Sequence, residues 1–352
     1  MRKQWRWMGT PDNIPFFFII GRPRTGTTLL LRLFDAHPNV AIPWECQYIV
    51  NLYPRYGKIT CWSEEDLMAF YRDLLDTWQF KFWPVDHEKL RSELLTCKGE
   101  NTYADVCRRV HLNYSSLYPK EGIRMIGDKN PGYTIYTELL KKIFPDAKFI
   151  FINRDYRDNF YSIRNVDFEL PVVPVVVYKW KHFYKRALRA KRRYPDDVRI
   201  LKYEDLAGDP HREFRALCIF LGLPWHPEVF DFHRKKEETL EMMKTERIRQ
   251  HHKSLMDPVH TQRIGLWKKH LDEKEVRMAD HVAGEYAERA GYRRKYRKAG
   301  AVTWLRCLPG TLYARMLYII TGIVDRFPYK MRAAILNKGP LALAKGFRKF
   351  RG

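Results

Sequence analysis

The stretch Gly21-Arg-Pro-Arg-Thr-Gly-Thr-Thr28 has the frame of a phosphate-binding loop, G-x-x-x-x-G-K-[ST], with Thr27 where the lysine belongs. Backbone N–H groups from Arg24 to Thr28, at a helix start, would form an anion cradle. The hydroxyls of Thr27 and Thr28 add donors, and Arg24 adds a fixed charge with forked donor geometry. A nucleotide triphosphatase would also need the missing lysine and a magnesium-holding acid at the end of another strand. Here the next strong strand, Lys148–Asn153, runs into Arg154 instead. Asp155 follows it and leaves a displaced metal acid open. Arg154 and Ser162 are spaced to fall on one side of a helix start, slightly over two turns apart. Two anion sites with no metal acid in its usual place suggest a doubly phosphorylated nucleotide.

These groups need a scaffold. Phe16–Ile20 (FFFII) reads as a buried strand and Thr27–Phe34 as a helix, the context a phosphate loop requires. Further strands are expected at Ile123–Ile126, Lys148–Asn153 and Val198–Lys202, with a helix from Tyr156. Ser63–Phe80 reads as a helix, capped by Ser63, with Leu67, Phe70, Tyr71, Leu74, Leu75 and Trp78 on one stripe. Strands alternating with helices predict an α/β, three-layer, P-loop-like fold with a central parallel sheet of four or five strands flanked by helices.

Of the 352 residues, 64 are Lys or Arg and 41 are Asp or Glu, a net charge of +23 that favours an anionic partner. The basic run Lys181–Tyr194 has aromatics within it but reads most simply as solvated helix face, and no nucleic-acid partner is expected. Six scattered cysteines, without zinc spacing, read as reduced thiols of a cytoplasmic protein. The N-terminal apolar run is too short for a signal peptide or a membrane span. The chain divides into a main domain, 1–295, and a basic, partly apolar helical extension, 296–352, in which Asp325 is the only acid. Arg306, Pro309 and Arg315 interrupt its apolar run and argue against a spanning helix. Peripheral contact with an anionic membrane, contact with a second copy in a homodimer, and simple packing on the main domain all stay open.

In order and spacing, PRTGTT, INRDYRDNFYS and RIGLWKKHL together resemble the sulfotransferases that use 3′-phosphoadenosine 5′-phosphosulfate (PAPS), from about Phe16 to Tyr292. The resemblance implies that Arg24, Thr25, Gly26, Thr27 and Thr28 bind the 5′-phosphosulfate, and Arg154 and Ser162 the 3′-phosphate, with no metal. The chain is most similar to the tyrosylprotein-sulfotransferase branch and its bacterial relatives. PRTGTTLLLRLFDAHPNVAIPWE then implies that Glu45 is the catalytic base and His37 a packing or hydrogen-bonding residue. A carboxylate suits that task, because an attacking hydroxyl must lose a proton. Asp128-Lys-Asn-Pro131 is similar to that branch's N-K-D-P, which implies that Lys129 touches the transferring group and the bridging oxygen, where charge builds. Asp128 and Asn130 swap the branch's identities. Tyr203 is implied to lie by the adenine, with Glu204 and Asp205 structural. RIGLWKKHL would close over the nucleotide. The cytosolic branch has an Arg-Lys-Gly just upstream; here His260-Thr-Gln262 stands there, so Arg263 or Lys268 would substitute.

The implied activity is in-line transfer of a sulfuryl group from PAPS to an acceptor hydroxyl. Tyr48, Tyr53, Tyr56, Trp62, Trp78, Phe82 and Trp83 lie between Glu45 and Lys129 in sequence and would supply acceptor walls. They and the apolar tail favour a lipid, sterol or other hydrophobic alcohol. A glycan or protein-tyrosine acceptor, or a divergent P-loop kinase, are the alternatives.

Overall fold

Five strands form one all-parallel sheet: β1 (Phe16–Gly21), β2 (Val40–Ala41), β3 (Met125–Lys129), β4 (Lys148–Asn153) and β5 (Val198–Lys202). They lie in the order β2-β3-β1-β4-β5. The computed structural model describes residues 13–77, 79–166, 168–235, 238, 258–327 and 331. Residues 1–12, Trp78 and most of the tail beyond 327 therefore lie outside the described residues.

Every residue of β1 is buried. Phe16, Phe18 and Ile20 enter one core, and Phe17 and Ile19 the core on the opposite face. Burial on both faces is why the strand is written as an unbroken apolar run. Each such side chain contributes about 1.5–3 kcal/mol through burial. The loop after β1 leads into α1 (Thr27–Ala36), and the turn after β4 into α2 (Tyr156–Ile163). α3 (Val173–Arg193) presents Val173, Val176, Val177, Trp180, Tyr184 and Ala187 inward at helical spacing. α4 (Glu273–Ala283) and α5 (Ala301–Val324) pack against it.

β1, β4 and β5 match their expected bounds, apart from one further residue at the end of β1. The strand expected at 123–126 lies two residues later and carries Lys129 at its end. The helix expected over 63–80 stops at Asp76, although Ser63 does cap it in a reciprocal box with Asp66. Thr77 is already extended, and Phe80–Phe82 forms a separate 3-10 turn. The expected acceptor walls need a larger correction. Tyr48, Tyr56, Trp62 and Trp83 are buried, with Tyr53 packed against them, and they stack on one another as core. The boundary expected at 295 falls in an irregular stretch before α5. The inner face of α5 is nevertheless part of the main core, which Cys307 joins.

Candidate active site

The proposed site residues sit just beyond the carboxyl ends of the five strands. The loop Gly21–Thr28 leaves β1, Glu45 follows β2, Lys129 ends β3, Arg154 follows β4 and Tyr203 follows β5. The chain leaves β1 toward β2 and β3 on one side and reaches β4 and β5 on the other. That switch opens a crevice at the strand ends, where ligands bind in open parallel sheets.

The loop is tightly drawn. Gly26 has φ +103°, and a Cβ there would lie 2.7 Å from the Tyr203 ring and 3.0 Å from Ile152. Arg24 holds a left-handed φ of 69° without being glycine, a strained conformation of the kind that collects at ligand sites. The Thr25 hydroxyl donates to the Arg22 carbonyl at 2.7 Å and is fully buried, so it closes the loop instead of facing an anion. Thr27 and Thr28 open α1, whose first turn has no side-chain cap and no acid. Its N–H groups and dipole thus point positive charge at the crevice.

Three guanidinium groups meet beside it. Arg24 Nε donates to Ser162 Oγ at 3.2 Å. Arg154 donates to the carbonyls of Arg24 at 3.3 Å and Arg263 at 2.5 Å, and its guanidinium lies 4.9 Å from the centre of the Tyr203 ring. Arg154 is buried, and its Nε has no hydrogen-bond partner. Burial first, and then the charges of Arg263 and Arg154, push Arg24 down to about 10. Such crowding is relieved by an anion. Asp155 is not that anion. It is held by Arg157 through bonds of 3.0 and 2.7 Å and caps α2.

On the other side of the loop, Lys129 Nζ donates to Glu45 Oε2 at 2.7 Å. Lys129 is nearly buried, while a third of the Glu45 side chain (34%) is open to solvent. The swapped neighbours of Lys129 have partners that explain them. Asp128 contacts His111 Nε2 at 3.2 Å and accepts from the Asn130 amide. Asn130 also donates to the Cys46 carbonyl at 3.2 Å, next to Glu45. His37 is buried, with one ring nitrogen on the Asn39 N–H and the other on the Pro224 carbonyl, and burial pushes it down to about 4. It is a structural residue, as expected.

The segment Arg263–Trp267 is fastened over α2. Asp158 accepts from the backbone N–H of Gly265 at 2.7 Å and of Trp267 at 2.8 Å, and Arg157 lies 3.8 Å from the Trp267 ring centre. This brings Arg263 to the cluster. Lys268, one step further on, is exposed and has no hydrogen bond or ion pair to the cluster among the described residues. Glu204 accepts from the Asp155 N–H and the Tyr292 hydroxyl, a structural role. Sequence reasoning missed Asp158, whose only signal was an acid placed among arginines in INRDYRD. It also missed Glu169, which pairs in the interior with Arg22 of the loop.

The fold and this geometry define a P-loop-like α/β protein built to hold a strongly anionic ligand at its strand ends. The sequence model described as Sulfotransferase family matches residues 15–227. The chain belongs to that family. It is 25% identical over 279 residues to the protein-tyrosine sulfotransferase of Drosophila melanogaster, covering 76% of this chain and 50% of that protein. It is 26% identical over 267 residues to protein-tyrosine sulfotransferase 1 of Danio rerio, covering 72% of this chain and 66% of that one. The chain therefore spans between half and two thirds of the length of these relatives. Among solved structures, the sulfotransferase domain from the curacin biosynthetic pathway superposes with a TM-score of 0.51 at 17% identity, over 79% of this chain and 98% of that domain. That likeness concerns the fold.

Proposed function

We infer that the protein transfers a sulfuryl group from PAPS to an acceptor hydroxyl. The observation that carries this reading is the convergence of Arg24, Arg154, Arg263 and Ser162 beside the uncapped start of α1. The unpartnered Arg154 Nε fits a phosphate oxygen, and Tyr203, drawn against Gly26, stands beside the loop on the side where the adenine is expected. When bound, PAPS supplies the sulfuryl group and a bisphosphate leaving group. The loop Arg24–Thr28 holds the 5′ end; Thr25 contributes its backbone only. Arg154, Ser162 and Arg263 hold the 3′-phosphate, and Lys268 has no part in it. Glu45 takes the proton from the acceptor hydroxyl. Lys129 stabilises the charge gathering on the oxygen that bridges sulfur and phosphate. The acceptor O–S bond forms as the bridging S–O bond breaks, and positioning with electrostatics does most of the work, as in phosphoryl transfer.

The acceptor is best read as a hydrophobic or lipid-linked alcohol, supported by the exposed apolar face of α5 beside the main domain. A tyrosine phenol of a protein is the second reading, favoured by the named relatives. The six free cysteines, five of them buried, support a reducing, cytoplasmic location. Incubation with labelled PAPS and a panel of sterols, phenols, glycolipids and tyrosine peptides decides among acceptors. Absence of any calorimetric affinity for adenosine 3′,5′-bisphosphate overturns the whole reading.

A further inference from the structure

α5 has two unlike faces. Cys307, Ala314 and Val324 are buried, and Tyr318 between them stacks on His182 of α3 with ring centres 3.9 Å apart. At its end, Tyr136 donates to the Asp325 carboxylate at 2.9 and 3.1 Å. Two residues before Cys307, Ala314 and Tyr318 stand Leu305, Leu312 and Met316, turned by about 200° and so on the opposite side. With Ile319 and Ile323 they make a continuous outer stripe, each of the five between 48% and 59% exposed. An apolar stripe of that length on open solvent marks a contact surface.

Charge decides the occupant. Exposed Arg306 and Arg315 lie on the two flanks between the stripes, where a guanidinium can reach up past an apolar face. Residues 293–298 hold five Lys or Arg before the helix, and residues 326–352 hold eight with no acid. A second copy laid against this face in a symmetric pair would bring the same positive charge to it. An anionic bilayer would neutralise it. By length and composition α5 could cross a membrane, with a mean hydropathy of 1.4 over its most apolar window. Its inner face, however, is bound to α3 and α4, and α3 ends in Lys191, Arg192 and Arg193. A crossing would drag charged protein into the hydrocarbon.

We propose that α5 seats the protein on an anionic phospholipid surface, lying in the plane of the interface with Leu305, Leu312, Met316, Ile319 and Ile323 in the acyl boundary and the arginines at the phosphates. This does not depend on the reaction at the strand ends.

The test is flotation of the full chain with vesicles of phosphatidylcholine alone and of phosphatidylcholine with phosphatidylglycerol. The wild type floats with the anionic vesicles, at least tenfold less with the neutral ones, and less as salt is raised. Met316→Glu/Ile319→Glu lowers flotation at least tenfold while its thermal unfolding is unchanged. Arg306→Gln/Arg315→Gln lowers it on anionic vesicles only. Failure of the wild type to float, or flotation equal in wild type and the Glu variant, overturns the proposal. A concentration-dependent dimer by light scattering that the Glu variant abolishes, without vesicle binding, assigns the face to a second copy and also overturns it. So does resistance of the bound protein to alkaline carbonate, which would mean a spanning helix.

Discussion

Lys129 Nζ and Glu45 Oε2 are 2.7 Å apart, joined between the end of β3 and the segment after β2. The pair joins the two groups to which the proposed reaction gives opposite tasks, Glu45 as base for the incoming oxygen and Lys129 as cation for the leaving one. Glu45→Ala is expected to lower kcat by roughly 10²–10⁴. Lys129→Ala should lower it by roughly 10²–10³, the usual loss for one stabilising donor. Because the two side chains touch, the double variant should lose less than the product of the single losses. Steady-state kinetics on the four proteins checks this, and full turnover by Glu45→Ala excludes it as the base.

The arginine cluster makes a binding prediction separate from the chemistry. Arg154→Ala removes charge-assisted hydrogen bonds worth about 1.5–3 kcal/mol. Affinity for adenosine 3′,5′-bisphosphate should fall about 10- to 100-fold by calorimetry. Arg154→Lys should restore little, because a point charge cannot reproduce the fork. Lys268→Ala should bind like the wild type. A loss with Lys268→Ala and none with Arg154→Ala would reverse the assignment.

The parts of this arrangement visible in the sequence are those fixed by local rules. KFIFIN and VRILK are strands because their runs are apolar and bounded, and the phosphate loop shows through its glycines. β3 begins two residues later than expected and runs on through Gly127, Asp128 and Lys129, residue types of low strand preference. They stand in a strand because His111 and Asn130, distant or adjacent in sequence, satisfy Asp128 in the interior. The aromatics after Glu45 looked like walls because residue type does not say which way a ring points. Packing turns Tyr48, Tyr56, Trp62 and Trp83 inward. That Arg263 and not Lys268 lies against Arg24 and Arg154 follows from the Asp158 bonds to the closing segment, a tertiary contact that spacing does not encode.

A pH prediction follows from Arg22 and Glu169. Burial works to raise the Glu169 carboxyl, but Arg22 and then Lys179 outweigh it and hold it below its ordinary value. A carboxyl depressed in the folded state stabilises the fold above its ordinary titration range and loses that contribution as pH falls through the depressed value. Glu169→Gln strands the buried Arg22 and should cost about 3–5 kcal/mol at pH 7. The gap to wild type should narrow as pH drops below about 4. Urea unfolding of both proteins between pH 7 and pH 3 measures it. A gap that stays constant over that range would show that the pair is not what the variant disturbs.

His111 is completely buried, with Nε2 3.2 Å from Asp128 and Nδ1 2.7 Å from the Tyr48 hydroxyl. Through Asp128 and Asn130 it reaches the Cys46 carbonyl beside Glu45 and the backbone beside Lys129. Among the described residues it has no hydrogen bond to Glu45 or Lys129, so an effect on catalysis would act through Asp128 and Asn130. His111→Phe leaves Asp128 without its ring partner in the interior, and an unsatisfied buried polar group costs about 1–3 kcal/mol. Tyr48→Phe removes the hydroxyl that meets both His111 Nδ1 and the Cys107 carbonyl and should cost about 1–3 kcal/mol. If the network only supports the core, both variants lose stability and what remains folded works normally. If it positions Glu45 and Lys129, His111→Phe lowers kcat per folded molecule while affinity for the bisphosphate nucleotide, held at the far side of the loop, is unchanged. His111→Gln, which can still donate toward Asp128, should recover part of kcat. Equal kcat in wild type and His111→Phe, measured below the melting range of both, would reduce the network to packing.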